Sequence, residues 1–193
     1  GAMTAGTIAD KIGRISVMKI AAVLFFISAL GTGFAHEVWT VVLFRIVGGI
    51  GVGVASVIAP AYIAETSPPR IRGRLGSLQQ LAIVSGIFLS FAVNYLLQWL
   101  AGGPNEPLWF GLDAWRWMFL VEAIPAVVYG LAARTIPESP RYLIGKGRID
   151  EARVVMASVG QDSSDAKVAS VQESLQGERA QKVRDAVAIL DGR

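Results

Sequence analysis

Apolar residues run along this chain in long blocks separated by short polar breaks. No Asp, Glu, Lys or Arg occurs between Ile20 and Ala35, between Ile46 and Ala64, or between Leu75 and Asn105. A helix that crosses the hydrocarbon core of a bilayer needs roughly 20 apolar residues at about 1.5 Å of rise each. The blocks reach or approach that length, which a buried helix of a soluble domain seldom does. The pattern predicts four spans: Val17 to Ala35, Trp39 to Ala64, Gly76 to Ala101, and Trp115 to Thr135 or Ile136. Pro125 predicts a kink in the fourth, its lost hydrogen bond covered by neighbouring helices.

The breaks alternate in character. The first, third and fifth carry Lys11, Arg14, Arg70, Arg72, Arg74, Arg141, Lys146 and Arg148, whereas the second and fourth carry only His36, Glu37, Glu106 and Asp113. Lys and Arg accumulate in short cytoplasmic loops, so the basic breaks and the C-terminal segment are expected on the cytoplasmic side of the cell membrane. An even number of spans is needed to return the basic ends to one face, and four satisfies it. Trp39, Trp109, Trp115 and Trp117 fall at the opposite ends, where amphipathic rings favour the headgroup region.

Beyond Pro137 the chain becomes polar, with Asp150, Glu151, Arg153, Asp165, Lys167, Glu173 and Glu178. Ile149, Val154, Val155 and Val159 recur at helical spacing. Residues 1–143 are thus read as the membrane part, and residues 144–193 as a cytoplasmic segment of short amphipathic helices broken near Gly160 to Ser164. Gly1, Ala2 and Met3 resemble a cloning scar but flow into small apolar residues, so the chain is read as starting inside a helix.

Composition narrows the chemistry. The 193 residues are 53% hydrophobic and 17% charged, with a net charge of +3, no cysteine and one histidine. The basic residues lie at helix ends and not along one solvent face, which argues against a nucleic-acid partner. Neither a disulfide framework nor a thiolate or His-rich metal site is available. No nucleophile and base occur at a spacing that suggests an enzyme. Gly48, Gly49, Gly51 and Gly53 lie within an apolar helix with no preceding strand, which fits close helix packing better than nucleotide binding.

Three polar clusters stand out. The first turn holds Gly6, Asp10, Gly13 and Arg14; the third holds Pro60, Tyr62, Glu65, Pro68, Arg72 and Gly73; the fifth opens with Pro137-Glu138-Ser139-Pro140-Arg141. Each joins a carboxylate to an arginine, and bidentate guanidinium contacts between turns can clamp helix ends in one conformational state. The plainer alternative is surface pairing, worth about 0 to 1 kcal/mol.

Written as GxxxDxxGR, PxYxxExxPxxxRG and PESPR, these strings resemble the signatures of the major facilitator superfamily and, within it, of the sugar porters. The resemblance covers the chain from Gly1 to about Leu143 with the motifs in their expected order. It implies an all-α membrane fold of twelve helices in two halves. The tail of the second helix would then begin this chain, and the four spans would be helices three to six. It also implies alternating access around a central site, with Asp10, Arg14, Glu65, Arg72, Glu138 and Arg141 in a cytoplasmic charge network that closes the outward-open state. Ile15 and Ser16 follow Gly13-Arg14 where the family often has a further basic residue, which weakens that part of the network.

Arg45 and Glu122 are the charges placed deep in the predicted spans, each about 8 to 9 Å from the outer interface. An intramembrane charge costs at least about 2.5 kcal/mol and is a functional candidate by default. The two either pair directly or face a third group elsewhere, as in proton-coupled sugar porters, which carry an acid in their first helix. Alternatively, Arg45 snorkels outward and Glu122 bonds locally.

In the third span, Gln80, Ser90, Asn94 and Gln98 fall within one arc at 100° per residue. Carboxamides both donate and accept, matching the hydroxyls of a sugar. The resemblance places Gln80 in the substrate site with Ile83 beside it as an apolar wall. Asn94 lies on the same stripe. Inter-helix hydrogen bonds averaging about 0.6 kcal/mol account better for Ser90 and Gln98.

The expected function is secondary transport of a monosaccharide or polyol, with the proton as coupling ion and no cofactor. A facilitative uniporter and a non-transporting sugar sensor on the same scaffold are the alternatives. The bilayer and the remainder of the transporter are the expected partners, and the isolated chain is not expected to transport.

Overall fold

The computed structural model describes residues 1–162 and 164–190; Ser163 and residues 191–193 of the expected cytoplasmic segment lie outside the described residues. In chain order the helices are α1 (Ala2–Ile12), α2 (Arg14–Gly33), α3 (Val38–Thr66), α4 (Pro69–Ala101), α5 (Ala114–Val121), α6 (Ala123–Thr135), α7 (Pro140–Gly145), α8 (Ile149–Ser158) and α9 (Asp165–Leu190). Strand pairing among the described residues is confined to one bridge, Pro107 to Asp113, in the α4–α5 connection.

Four stretches of the described residues are long and apolar enough to cross a membrane: Arg14–Gly33, Val38–Thr66, Pro69–Ala101 and Ala114–Thr135. α3 has 29 residues and α4 has 33. At about 1.5 Å per residue they outrun the roughly 30 Å hydrocarbon core, and they meet at the basic end of the bundle.

The connections at that end are shorter than the charge pattern suggests. A loop is expected from Ala9 to Ser16, yet only Gly13 separates α1 from α2. Its φ of 97° and ψ of 157° belong to a region essentially confined to glycine. Residues 65–74 are also expected as a break, but only Ser67 and Pro68 separate α3 from α4. Pro69 opens α4 at a position where a missing N–H costs nothing, so Arg70, Arg72 and Arg74 ride on the helix.

Pro125 acts as expected on the fourth span, but the break lies three residues earlier. Without an N–H it cannot bond the Val121 carbonyl, and α5 closes at Glu122 before α6 begins.

α2 sits at the centre, packed on α3, α6, α5 and α1. Small residues allow the close approach. Ala5, Ala9 and Ala21 are almost fully buried beside Val17, Met18, Val54 and Ile58. A side chain at Gly48 would collide with Ser28 of α2, which explains part of the glycine cluster as packing. α4 stands apart, with Leu97 its one buried residue among those described.

The polar end forms its own unit. Leu143, Ile144, Ala152, Met156 and Val168 make a small core shared by α7, α8 and α9. The expected boundary between Leu143 and Ile144 therefore cuts through a helix; the unit starts at Pro140, with Ser139 as N-cap accepting from the Tyr142 amide at 3.5 Å. The expected short helices also give way to a long one, since α9 continues for 26 residues.

Candidate functional site

The basic ends of α1–α2, α3 and the α6–α7 link meet around Arg14. This side chain is buried, with relative exposure of 11%, and spends its donors on three partners. Nε reaches Glu65 Oε2 at 3.1 Å and Nη2 reaches Glu65 Oε1 at 2.9 Å, a bidentate pair between α2 and α3. Nη1 reaches Asp10 Oδ1 at 3.0 Å and donates to the Ala9 carbonyl at 3.0 Å, tying α2 back to α1.

Glu138 is also at this junction, but it does not take the guanidinium partner the sequence suggests. Its carboxylate accepts from the backbone N–H of Arg14 at 2.9 Å and of Ile15 at 3.2 Å, and from its own neighbour Ser139 at 2.9 Å. Gly13 supplies no side chain to cap α2, so Glu138 caps it from 124 residues away. Any Cβ at Gly13 would collide with that carboxylate.

Arg141 and Arg72 lie beside this cluster without joining its ion pairs. Arg141 pairs with Glu178 of α9, because the turn of α7 points it toward the polar unit. It still borders, with Asp10, Arg14 and Glu65, a cavity of about 490 Å³. Arg72 Nη2 donates to the carbonyl of Ser67, the C-cap of α3, at 3.3 Å across the short α3–α4 link.

Several residues that complete the junction escaped sequence reasoning. The Ser139 hydroxyl donates to Glu65 Oε2, and the Tyr62 hydroxyl donates to the Pro137 carbonyl at 2.7 Å. Gln161 Nε2 donates to the Glu65 carbonyl at 3.2 Å, connecting the polar unit to α3. Ser139 and Tyr62 lie inside the quoted motifs, so their positions were visible although their bonds were not. Gln161 and Glu178 lie in the polar segment, where nothing in the pattern distinguishes them.

At the other level of the bundle, Arg45 Nη1 lies 3.3 Å from Glu122 Oε2, and the Arg45 guanidinium covers the Phe119 ring at 4.3 Å. Of the alternatives for these two charges, the structure has the direct pair. It lines a cavity of about 310 Å³ with Phe25, Ser28, Gly48, Gly49 and Val52. The two side chains remain 46% and 43% exposed, so the pair opens onto space and is not sealed in packing.

Gln80 and Ile83 are exposed on α4 and Asn94 is half-buried. Among the described residues neither carboxamide makes a hydrogen bond. The cavity at the Arg45–Glu122 pair takes no residue from α4, so the structure does not unite the polar stripe with the ion pair.

Over residues 1–190 the chain matches the family described as Sugar (and other) transporter. It is 51% identical over 176 residues to the glucose transport protein of Synechocystis sp., covering 91% of this chain and 38% of that protein. It is 37% identical over 177 residues to the D-xylose-proton symporter of Escherichia coli K12, covering 82% of this chain and 35% of that one. The chain thus spans less than two-fifths of the length of these relatives. The structure of the proton:xylose symporter XylE bound to 6-bromo-6-deoxy-D-glucose matches with a TM-score of 0.85 and 34% identity, covering 100% of this chain and 43% of that one. The helices around Arg14 accordingly reproduce part of the N-terminal bundle of a known carrier fold, and the chain belongs to the sugar porters of the major facilitator superfamily, a family of transporters and not of enzymes.

Proposed function

We propose that this chain supplies helices three to six of a secondary transporter that moves a monosaccharide or polyol across the cell membrane, coupled to protons, by alternating access. The observation that carries the reading is the Arg14 junction. Three helix ends separated in sequence are held at one face by ion pairs and capping bonds. Such a junction suits a reversible gate.

The relatives support the substrate class, since one is named for glucose transport and another for xylose–proton symport. Excess Lys and Arg puts the gate, and the polar unit after Ser139, on the cytoplasmic side. Gln80, Ile83 and Asn94 line the sugar path, with partners from the remainder of the transporter. Arg45 and Glu122 take part in proton coupling through their direct pair.

Uptake of labelled glucose and xylose by cells or vesicles carrying the full-length transporter tests this. Saturable uptake that collapses with an uncoupler is the expected result. Uptake indifferent to the uncoupler replaces symport by uniport, and sugar binding without uptake replaces transport by sensing.

A further inference from the structure

A cleft lies between α2 and α6, on the far side of α2 from the intramembrane ion pair and away from the Arg14 junction's own contacts. It has a volume of about 240 Å³ and carries Lys19 and Arg134 at its end nearest the Arg14 junction. α2 runs away from the junction and α6 runs back toward it, so the two cations approach from opposite chain directions to one level.

Neither cation has a partner among the described residues, and no acid lines the cleft. Arg134 has an ordinary use, because it lies in the last turn of α6, where the helix dipole favours a positive charge. Lys19 has no such use. It sits near the positive end of α2, within a stretch apolar enough to span the membrane, where an unpaired ammonium is unfavourable.

The rest of the cleft is apolar. Its floor is small residues: Ala22 and Ala126 are buried, and a Cβ on Gly130 would come within 3.2 Å of the Ala22 side chain. Its rims are larger: Val23 and Phe26 on α2, Val127 and Leu131 on α6, all exposed. Positions 19, 22, 23 and 26 form one helical stripe and 127, 130, 131 and 134 the facing one. A narrow apolar channel capped at one end by two unpaired cations has the charge and shape of a phospholipid chain under its phosphate.

We propose that the α2–α6 cleft is a binding site for an anionic phospholipid of the leaflet on the Arg14 side, its phosphate between Lys19 and Arg134 and one acyl chain along the small-residue floor. Both side chains are long enough to lift their charges to headgroup level while their stems cover the rims. Net negative lipid is preferred because two cations face one phosphate.

The test is native mass spectrometry of the purified full-length transporter mixed with equal amounts of phosphatidylglycerol and phosphatidylcholine of identical chains. Preferential retention of phosphatidylglycerol is expected. Lys19→Gln or Arg134→Gln lowers that preference roughly fivefold, and the double change roughly thirtyfold. Lys19→Arg keeps it. Val127→Trp, which fills the channel without touching charge, lowers retention of both lipids. Arg70→Gln, at an exposed cation outside the cleft, leaves the preference unchanged. An equal fall with Arg70→Gln reduces the effect to general surface charge and overturns the proposal. So does displacement of the lipid by soluble glycerol phosphate, which marks a phosphate site without a lipid chain. Crosslinking from Val23→Cys to protein and not to lipid overturns it as well, since a polypeptide then covers the cleft.

Discussion

Single side chains divide here into those whose environment is complete and those left open. Arg14 belongs to the first kind. Its buried bidentate pair with Glu65 makes Arg14→Leu costly by about 3 kcal/mol or more, since the Glu65 carboxylate is then buried without a cation, whereas Glu65→Gln costs less because Asp10 still faces the guanidinium. Thermal unfolding in detergent measures that loss, and the Arg14→Leu/Glu65→Leu double variant should recover part of it. Gln80 belongs to the second kind. Gln80→Ala should abolish sugar uptake while surface expression and thermal stability stay at the parental level, because it forfeits no hydrogen bond within the described structure; sugar-binding calorimetry checks that affinity is what falls. Arg45→Leu should remove proton-driven accumulation and leave part of the sugar exchange, measured by counterflow, since its Glu122 partner then no longer faces a fixed positive charge.

Elements were legible to different depths. The four spans could be read because the membrane demands long uncharged blocks. Their junctions could not be read so well. A run of charges such as Arg70, Arg72 and Arg74 looks like a loop, yet helix extends wherever the solvent beyond the bilayer accepts the charges. Pro125 signalled a kink, but the unsatisfied carbonyl it creates lies one turn back, which is why Glu122 marks the break. Asp10, Arg14 and Glu65 were identified in the sequence and meet in the structure. Glu138 was identified too, though as a partner for arginine; its use as the cap of a distant helix depends on three-dimensional placement that no local spacing encodes.

Gly13→Ala should destabilise the fold by about 1 to 3 kcal/mol, because only glycine tolerates that backbone conformation, and it should also expel the Glu138 carboxylate; thermal unfolding and α2 amide exchange report both. At the start of α9, the Ser164 amide and hydroxyl donate to the Asp162 carboxylate and hold it below its usual range. A lowered folded pKa contributes stability above the ordinary aspartate value and loses it as pH falls through the depressed one. Protection factors of amides in the first turn of α9, with the intrinsic pH dependence of exchange divided out, should therefore fall on acidification, and Asp162→Asn should flatten that dependence.

Across the whole molecule, three successive residues attach to three different bodies. Glu138 holds the start of α2, Ser139 holds Glu65 of α3, and Pro140 opens the helix that anchors the polar unit. Because consecutive Cα atoms are only about 3.8 Å apart, a backbone movement that carries one of these residues away from its body pulls on the other two attachments. The tripeptide thus works as a coincidence lock. A backbone movement that opens this face should release the three together, so traces of individual molecules should show two-level switching, and a lingering half-open level refutes it.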